Sequence, residues 1–273
     1  MIRRALQGAV FGAALLAVSL SACGSSDANS ASTGGPDATT SDGAVVAPTD
    51  LDGGTSDAAA EGGAGDPPGA PSAAALLAKV AACKATALKG GFGPDGPGSI
   101  SIFACAGAAY WKADMDVDCD GIQTPPCNTD PQGQPQTSLV DIAPNGDIDP
   151  TLVPYFVIPL GKPETPWYTA HDIQLGQVGA VIYKGQVRYG IFADEAGGWF
   201  IGEVSYAMCQ LFLGKSSGGK DPCDPIMGGI DPSEITYVTF TGAQNQVKGV
   251  DLYDHAKHTQ VGATAAAAWV AAP

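Results

Sequence analysis

The sequence predicts an all-β domain with one flanking helix. Apolar, β-branched runs recur at 155–160, 179–183, 187–192, 199–204 and 235–241, the length and composition of strands. Gly and Pro punctuate the stretches between them, which marks surface loops. Only 72–89 has a helical composition: it is rich in Ala and Leu, Ser72 stands at the N-cap position, and Gly90-Gly91 provides the stop.

Taken in order, the chain divides into three parts. Residues 1–22 read as an export signal, with Arg3 and Arg4 ahead of an apolar run that ends in Leu20-Ser21-Ala22-Cys23. That ending is similar to a bacterial lipobox, which makes Cys23 the expected lipidation site and the first residue of the mature chain. Residues 23–71 are almost wholly Gly, Ala, Ser, Thr, Asp and Pro, with no Lys or Arg. Such a segment buries too little apolar surface to offset the entropy of ordering it, so it reads as a tether. Residues 72–273 then form one domain of ordinary size. The expected location is outside the cytoplasm, lipid-anchored to the cell envelope or secreted, and the membrane is met only through the anchor.

Within the domain, Lys184-Gly185-Gln186 reads as a tight hairpin turn and 262–273 as a helix end or a frayed terminus. Apart from Cys23, the cysteines are Cys83, Cys105, Cys119, Cys127, Cys209 and Cys223. An even number in an exported domain points to three disulfides. Short loops favour Cys119–Cys127 and Cys209–Cys223, which leaves Cys83–Cys105. No C-x-x-C pair occurs and only three histidines are present, so neither a metal site nor a cofactor is expected.

The net charge is −15, and the domain itself holds 20 acidic against 11 basic residues. Phosphate backbones need basic patches, so nucleic acid is excluded as a partner. An acidic cleft would concentrate a polycation. Two groups of carboxylates stand out. In Ala113-Asp114-Met115-Asp116-Val117-Asp118-Cys119-Asp120-Gly121, the residues Asp116, Asp118, Asp120 and Gly121 match the opening of a calcium loop. The twelfth position is Cys127, where such loops carry an acid. The same segment also reads as an extended run whose alternating carboxylates project into a cleft, or as a solvated acidic loop. In the second group, an apolar strand ends at Asp194 and a following one carries Glu203. If the two strands pair with Asp194 opposite Trp199, then Glu203 faces Gly190 and both acids share a face. The separation is about 13 Å between backbones at ~3.3 Å per residue. Side chains leaning together would close it toward the range for glycoside hydrolysis with inversion. Gly190 and Gly202 would leave room for a ligand.

Several blocks in order resemble chitosanases of glycoside hydrolase family 75: Tyr110-Trp111-Lys112-Ala113-Asp114-Met115-Asp116-Val117-Asp118-Cys119-Asp120-Gly121, Gly133-Gln134-Pro135-Gln136-Thr137, Pro154-Tyr155-Phe156-Val157-Ile158-Pro159, Tyr189-Gly190-Ile191-Phe192-Ala193-Asp194 and Ile201-Gly202-Glu203-Val204-Ser205. The resemblance spans about 100–242. It implies endo-hydrolysis of β-1,4-linked glucosamine polymers (chitosan) with inversion, Glu203 as general acid and Asp194 as general base. Asp114, Asp116, Asp118, Tyr189 and Trp111 are the expected substrate contacts, and a monomer is expected. Analogy with other small polysaccharide-cleaving domains gives a barrel-like fold, of double-psi type. Three departures are visible. The loop between Asp194 and Glu203 is short, Ala193 replaces the family's usual Gly, and the lipid tether is a variation. The competing expectations are a non-catalytic lipoprotein binding calcium or cationic polysaccharide, and a hydrolase of peptidoglycan. No G-x-S-x-G elbow is present, which excludes that serine-hydrolase pattern. His171, beside Asp172, reads as half of a structural pair, and Trp167 and Trp199 as candidates for packing or sugar stacking.

Overall fold

The computed structural model describes residues 67–140, 143–144, 146–215 and 218–273. The expected signal 1–22, Cys23 and nearly all of the tether 23–71 lie outside the described residues. Among the described residues, no helix is long and apolar enough to cross a membrane.

Helix α1 spans Ala73–Ala82, capped by Ser72, whose Oγ accepts from the Ala75 N–H at 3.3 Å. It is shorter than the expected 72–89. Cys83 is bonded to Cys105, and Thr86–Gly93 leaves as strand β1 to pair antiparallel with β2 (Gly96–Cys105). The helix propensity of Ala87 and Leu88 is worth only a few tenths of a kcal/mol, and strand pairing overrides it. Next come β3 (Ala108–Asp118), β4 (Tyr155–Gly161), β5 (Val178–Tyr183), β6 (Gln186–Gly197) and β7 (Glu203–Ser205). Helix α2 (Tyr206–Leu213), β8 (Ile230–Phe240) and α3 (His255–Ala271) complete the chain. The expected hairpin is present: β5 and β6 pair from Tyr183↔Gln186 onward, with Lys184 and Gly185 both at positive φ, as a two-residue turn of that hand requires. The Ala-rich end resolves as helix α3.

Six strands close into a mixed barrel in the order β3-β7-β4-β6-β5-β8, with β8 returning to β3. The β3–β7 and β4–β6 pairs are parallel and the other four antiparallel. Closure removes the exposed edges that an open sheet would have to protect. One apolar layer fills the ring: Trp111, Phe156, Phe192 and Tyr237 are at most 1% exposed, and the Trp111 and Tyr237 rings stack with centroids 5.2 Å apart. A second layer covers part of the outside, where α3 lies on β5 and β6 with Gly262 against the Tyr189 ring and Val178. A side chain at Gly262 would have no room there.

All three expected disulfides are present: Cys83–Cys105, Cys119–Cys127 and Cys209–Cys223, with Cα separations of 5.8, 5.2 and 5.8 Å. The second fixes the turn that leaves β3. The third ties α2 to the 221–229 loop.

Candidate active site

One expectation fails in a way that bears on the site. Strand β7 does not pair with β6, and residues 199–202 are not strand apart from a single bridge at Phe200. Instead β4 lies between β6 and β7, so Asp194 and Glu203 reach each other across it. Phe156 pairs with Val204 in antiparallel β7, which sets Val157 level with Glu203. On its other side Val157 pairs with Asp194. Asp194, Val157 and Glu203 therefore form one row across three strands, and Asp116 on β3 extends it by pairing with Glu203. Two strand spacings separate the acid-bearing backbones, about 9.6 Å.

Asp194 takes its place in that row through a β-bulge. Phe156 pairs with Phe192, and the next pair is Val157 with Asp194, so Ala193 is the additional residue. Strict alternation would give Asp194 the face of Phe192, inside the barrel. The bulge re-aims it outward.

The row opens onto a cleft of about 550 Å³. Asp95, Asp116, Asp118, Asp120, Asp130, Asp194, Glu195 and Glu203 line it, and no Lys, Arg or His among the described residues does. Strand β3 supplies part of this by alternation: Ala113, Met115 and Val117 pack in the barrel while Asp116 and Asp118 face the cleft. Ala113 to Asp118 is thus strand, and Cys119, Asp120 and Gly121 lie in the turn beyond it. The Tyr155 hydroxyl donates to the carbonyls of Asp118 (3.3 Å) and Asp120 (2.9 Å), which fixes the exit turn.

Burial and crowding of like charge set the electrostatics. Asp194 is 6% exposed, and burial pushes its carboxyl up to about 7. Hydrogen bonds from Ser138 and Glu195 work against that rise, and the Asp120 charge adds to it. Glu203 is pushed up to about 8, first by burial and then by the charges of Asp116, Asp194, Asp120 and Asp114. Burial also lifts Asp118 well above the usual range, helped by Asp194 and Glu203. Carboxylate oxygens of Asp118, Asp120 and Asp194 lie within 4.8 Å of one another, the one group among the described residues close enough to hold a metal ion.

Other expected contacts fall elsewhere. Trp111 is in the barrel core, 1% exposed, with its Nε1 unpartnered. Burying such a ring contributes on the order of 4–6 kcal/mol, against ~1–3 for the lost hydrogen bond. Tyr189 is 2% exposed beneath α3. Asp114 is buried behind the cleft wall, where a Cβ on Gly202 would overlap its carboxylate. Gly202 has φ +114° and offers no space for a ligand; its carbonyl accepts from the Asp116 N–H and the Tyr237 hydroxyl, each at 3.0 Å. The space at Gly190 is likewise filled, by Met208 and Pro154. Trp167 donates to the Pro159 carbonyl at 2.9 Å, and Trp199 packs on Phe92. His171 does not line the cleft, and His255 and His258 belong to α3.

Sequence reasoning did not single out Ser138, Glu195, Phe200 or Ile226. Glu195 reads as a turn residue because its strand runs five residues beyond the apolar run. Phe200 and Ile226, 47% and 63% exposed, line the cleft; an isolated apolar residue in a loop carries no sequence signal.

The chain is similar to known proteins. The chain is 32% identical over 160 residues to the endo-chitosanase of Aspergillus fumigatus, covering 54% of this chain and 60% of the relative. It is 30% identical over 169 residues to endo-chitosanase B of Aspergillus oryzae, covering 58% and 65%. For endo-chitosanase C of Aspergillus oryzae the figures are 33% over 141 residues, 50% and 32%. The chain thus spans less than two thirds of these relatives' length. Residues 115–264 match the family described as fungal chitosanase of glycosyl hydrolase group 75, and the chain belongs to that family.

Proposed function

We propose that this domain is an endo-acting chitosanase that hydrolyses β-1,4 bonds between glucosamine units with inversion, with Glu203 as general acid and Asp194 as general base. The observation that carries the reading is the row Asp194–Val157–Glu203 at the wall of a cleft lined only by acidic charge. Strand spacings of about 9.6 Å between the two backbones suit an inverting pair, whose carboxyls stand roughly 6.5–9.5 Å apart with a water between. The role order follows from the surroundings. Glu203 retains its proton to higher pH and suits the group that protonates the leaving oxygen. Asp194 accepts three hydrogen bonds on Oδ1, which favours its ionised form. Ammonium groups of an entering polymer supply the missing positive charge and lower the carboxyl pKa values further, so substrate binding itself favours an ionised base.

Purified protein should release reducing ends from chitosan, and Asp194→Asn or Glu203→Gln should abolish that release. Proton NMR of the first product should show the α-anomer; a β-anomer would refute inversion. Cleavage of peptidoglycan with chitosan left intact would reassign the substrate. A second reading drops the chemistry and uses Asp118, Asp120 and Asp194 to hold a hard cation. A calcium-dependent rise in melting temperature, together with inert behaviour on both polymers, would favour it.

Export behind a lipid anchor at Cys23 completes the proposal. Three disulfides support an oxidising compartment. Cys23→Ala should move the protein from the membrane fraction to the soluble one. Sedimentation should give a monomer.

A further inference from the structure

Ser138 lies 56 residues before Asp194 and outside the lining of the cleft, yet it makes two hydrogen bonds to one catalytic-candidate oxygen. Its backbone N–H and its hydroxyl both donate to Asp194 Oδ1, each at 2.8 Å. The Glu195 N–H donates to the same oxygen at 2.8 Å. Three donors exhaust what one carboxylate oxygen accepts. The segment that presents Ser138 is itself anchored. Thr137 donates its N–H to Asp147 Oδ2 at 2.8 Å and its hydroxyl to Asp147 Oδ1 at 2.7 Å. Leu139 is fully buried, and the Tyr253 hydroxyl braces the Asp147 carbonyl at 2.5 Å.

We infer that Ser138 is a positioning residue, which pins Oδ1 of Asp194 and so orients the carboxyl to take the proton of the attacking water. The inference rests on Asp194 being the base. The Ser138 N–H, the Ser138 hydroxyl and the Glu195 N–H all fall on one oxygen, and the Asp194 carboxyl also shares a hydrogen bond with the Asp120 carboxyl. The charged and titratable groups around Asp194 are Asp118 at the end of β3, Asp120 after it, Glu203 on β7 and Glu195 beside it on β6. Asp147 lies behind Thr137 and the Tyr155 hydroxyl comes from β4. None is a cation, so the hydrogen bonds are what favours the ionised carboxylate against burial.

The test compares Ser138→Ala and Ser138→Thr in the full chain, with Asp194→Asn alongside, on chitosan. Loss of one charge-assisted hydrogen bond should lower kcat about 10-fold with KM nearly unchanged. It should also move the acid limb of the kcat/KM profile up by about one pH unit, because removing a bond to the ionised form raises the pKa of a base that must be ionised. Ser138→Thr keeps the hydroxyl and should restore both. Where the alanine variant does not fold, Ser138→Cys gives the same readout with volume kept and the donor weakened. An unchanged kcat and acid limb in Ser138→Ala, with Asp194→Asn inactive, overturns the inference even if the melting temperature falls. Activity surviving in Asp194→Asn overturns the base assignment itself, and the inference with it.

Discussion

Asp116→Asn isolates the electrostatic part of the mechanism. Asp116 pairs directly with Glu203 across β3 and β7, and its charge is the largest influence after burial on the raised Glu203 carboxyl. Two unit charges one strand spacing apart, about 5 Å, repel by ~3 kcal/mol at an effective dielectric of 20. The cleft is open to water, and doubling the dielectric leaves about 1.5 kcal/mol, or about one pH unit. The general acid works only while protonated. Removing a like charge lowers its pKa, so the basic limb of the kcat/KM profile should fall by about one unit. Three strand spacings separate Asp116 from Asp194 against one from Glu203, so the acid limb should move far less. Activity at pH 8 therefore drops while activity at pH 5 is retained. Initial rates on a soluble chitosan oligomer across pH 4–9 make the measurement. A basic limb that does not move, or an acid limb that moves instead, would refute Glu203 as the acid.

Three further outcomes follow from the same geometry. Stability should fall as pH rises. Asp114 and Asp194 are raised to about 7 and Glu203 to about 8, so the folded state keeps protons the unfolded chain has released. That stabilisation is complete below the ordinary carboxylate values and is lost through pH 7–8; calorimetry showing a higher melting temperature at pH 8.5 than at pH 5 would contradict it. Gly202→Ala forces a side chain onto a backbone at φ +114° and against the Asp114 carboxylate. It should cost about 3 kcal/mol and roughly 6–12 °C in melting temperature, with partial recovery when Asp114→Ala is added. Phe200→Ala removes an exposed ring from the cleft and should raise KM about 5-fold without moving either pH limb; an unchanged KM shows that the ring does not meet the polymer.

Local signals made much of the fold legible. The Lys184-Gly185 turn and the runs at 155–160 and 179–183 correspond closely to the observed elements because each depends on near neighbours. The disulfide pairs were also legible, since two of them close loops with sequence separations of 8 and 14 and leave one partner each for the last two cysteines. Helix α1 was overextended because nothing in Ala87-Leu88-Lys89 announces that Ala104 and Phe103 will pair with it. Trp111 and Tyr189, expected at the substrate, are buried in the core although they stand beside cleft residues in sequence. In a strand, neighbours point to opposite faces, so proximity to Asp114 or Asp194 along the chain places a side chain in the core as readily as in the site.

Asp194 and Glu203 share a row although their strands do not pair, and the bulge explains why. Counting in twos from Gly190 puts Asp194 on the face of Phe192, which in the closed barrel is the packed interior. A lone carboxylate there would cost several kcal/mol. One extra residue at Ala193 moves Asp194 to the row of Val157, level with Glu203 two strands away. Ala193 is thus the residue that forms the bulge. Alanine suffices because a bulge with its first residue near the right-handed region needs no positive φ, and Ala193 is not among the non-glycine residues at positive φ. Its small side chain packs fully buried in the outer apolar layer, which holds the bulge in register. A larger residue at 193 would have to displace that layer, so the same buried methyl that fixes the strand also fixes where the carboxylate points.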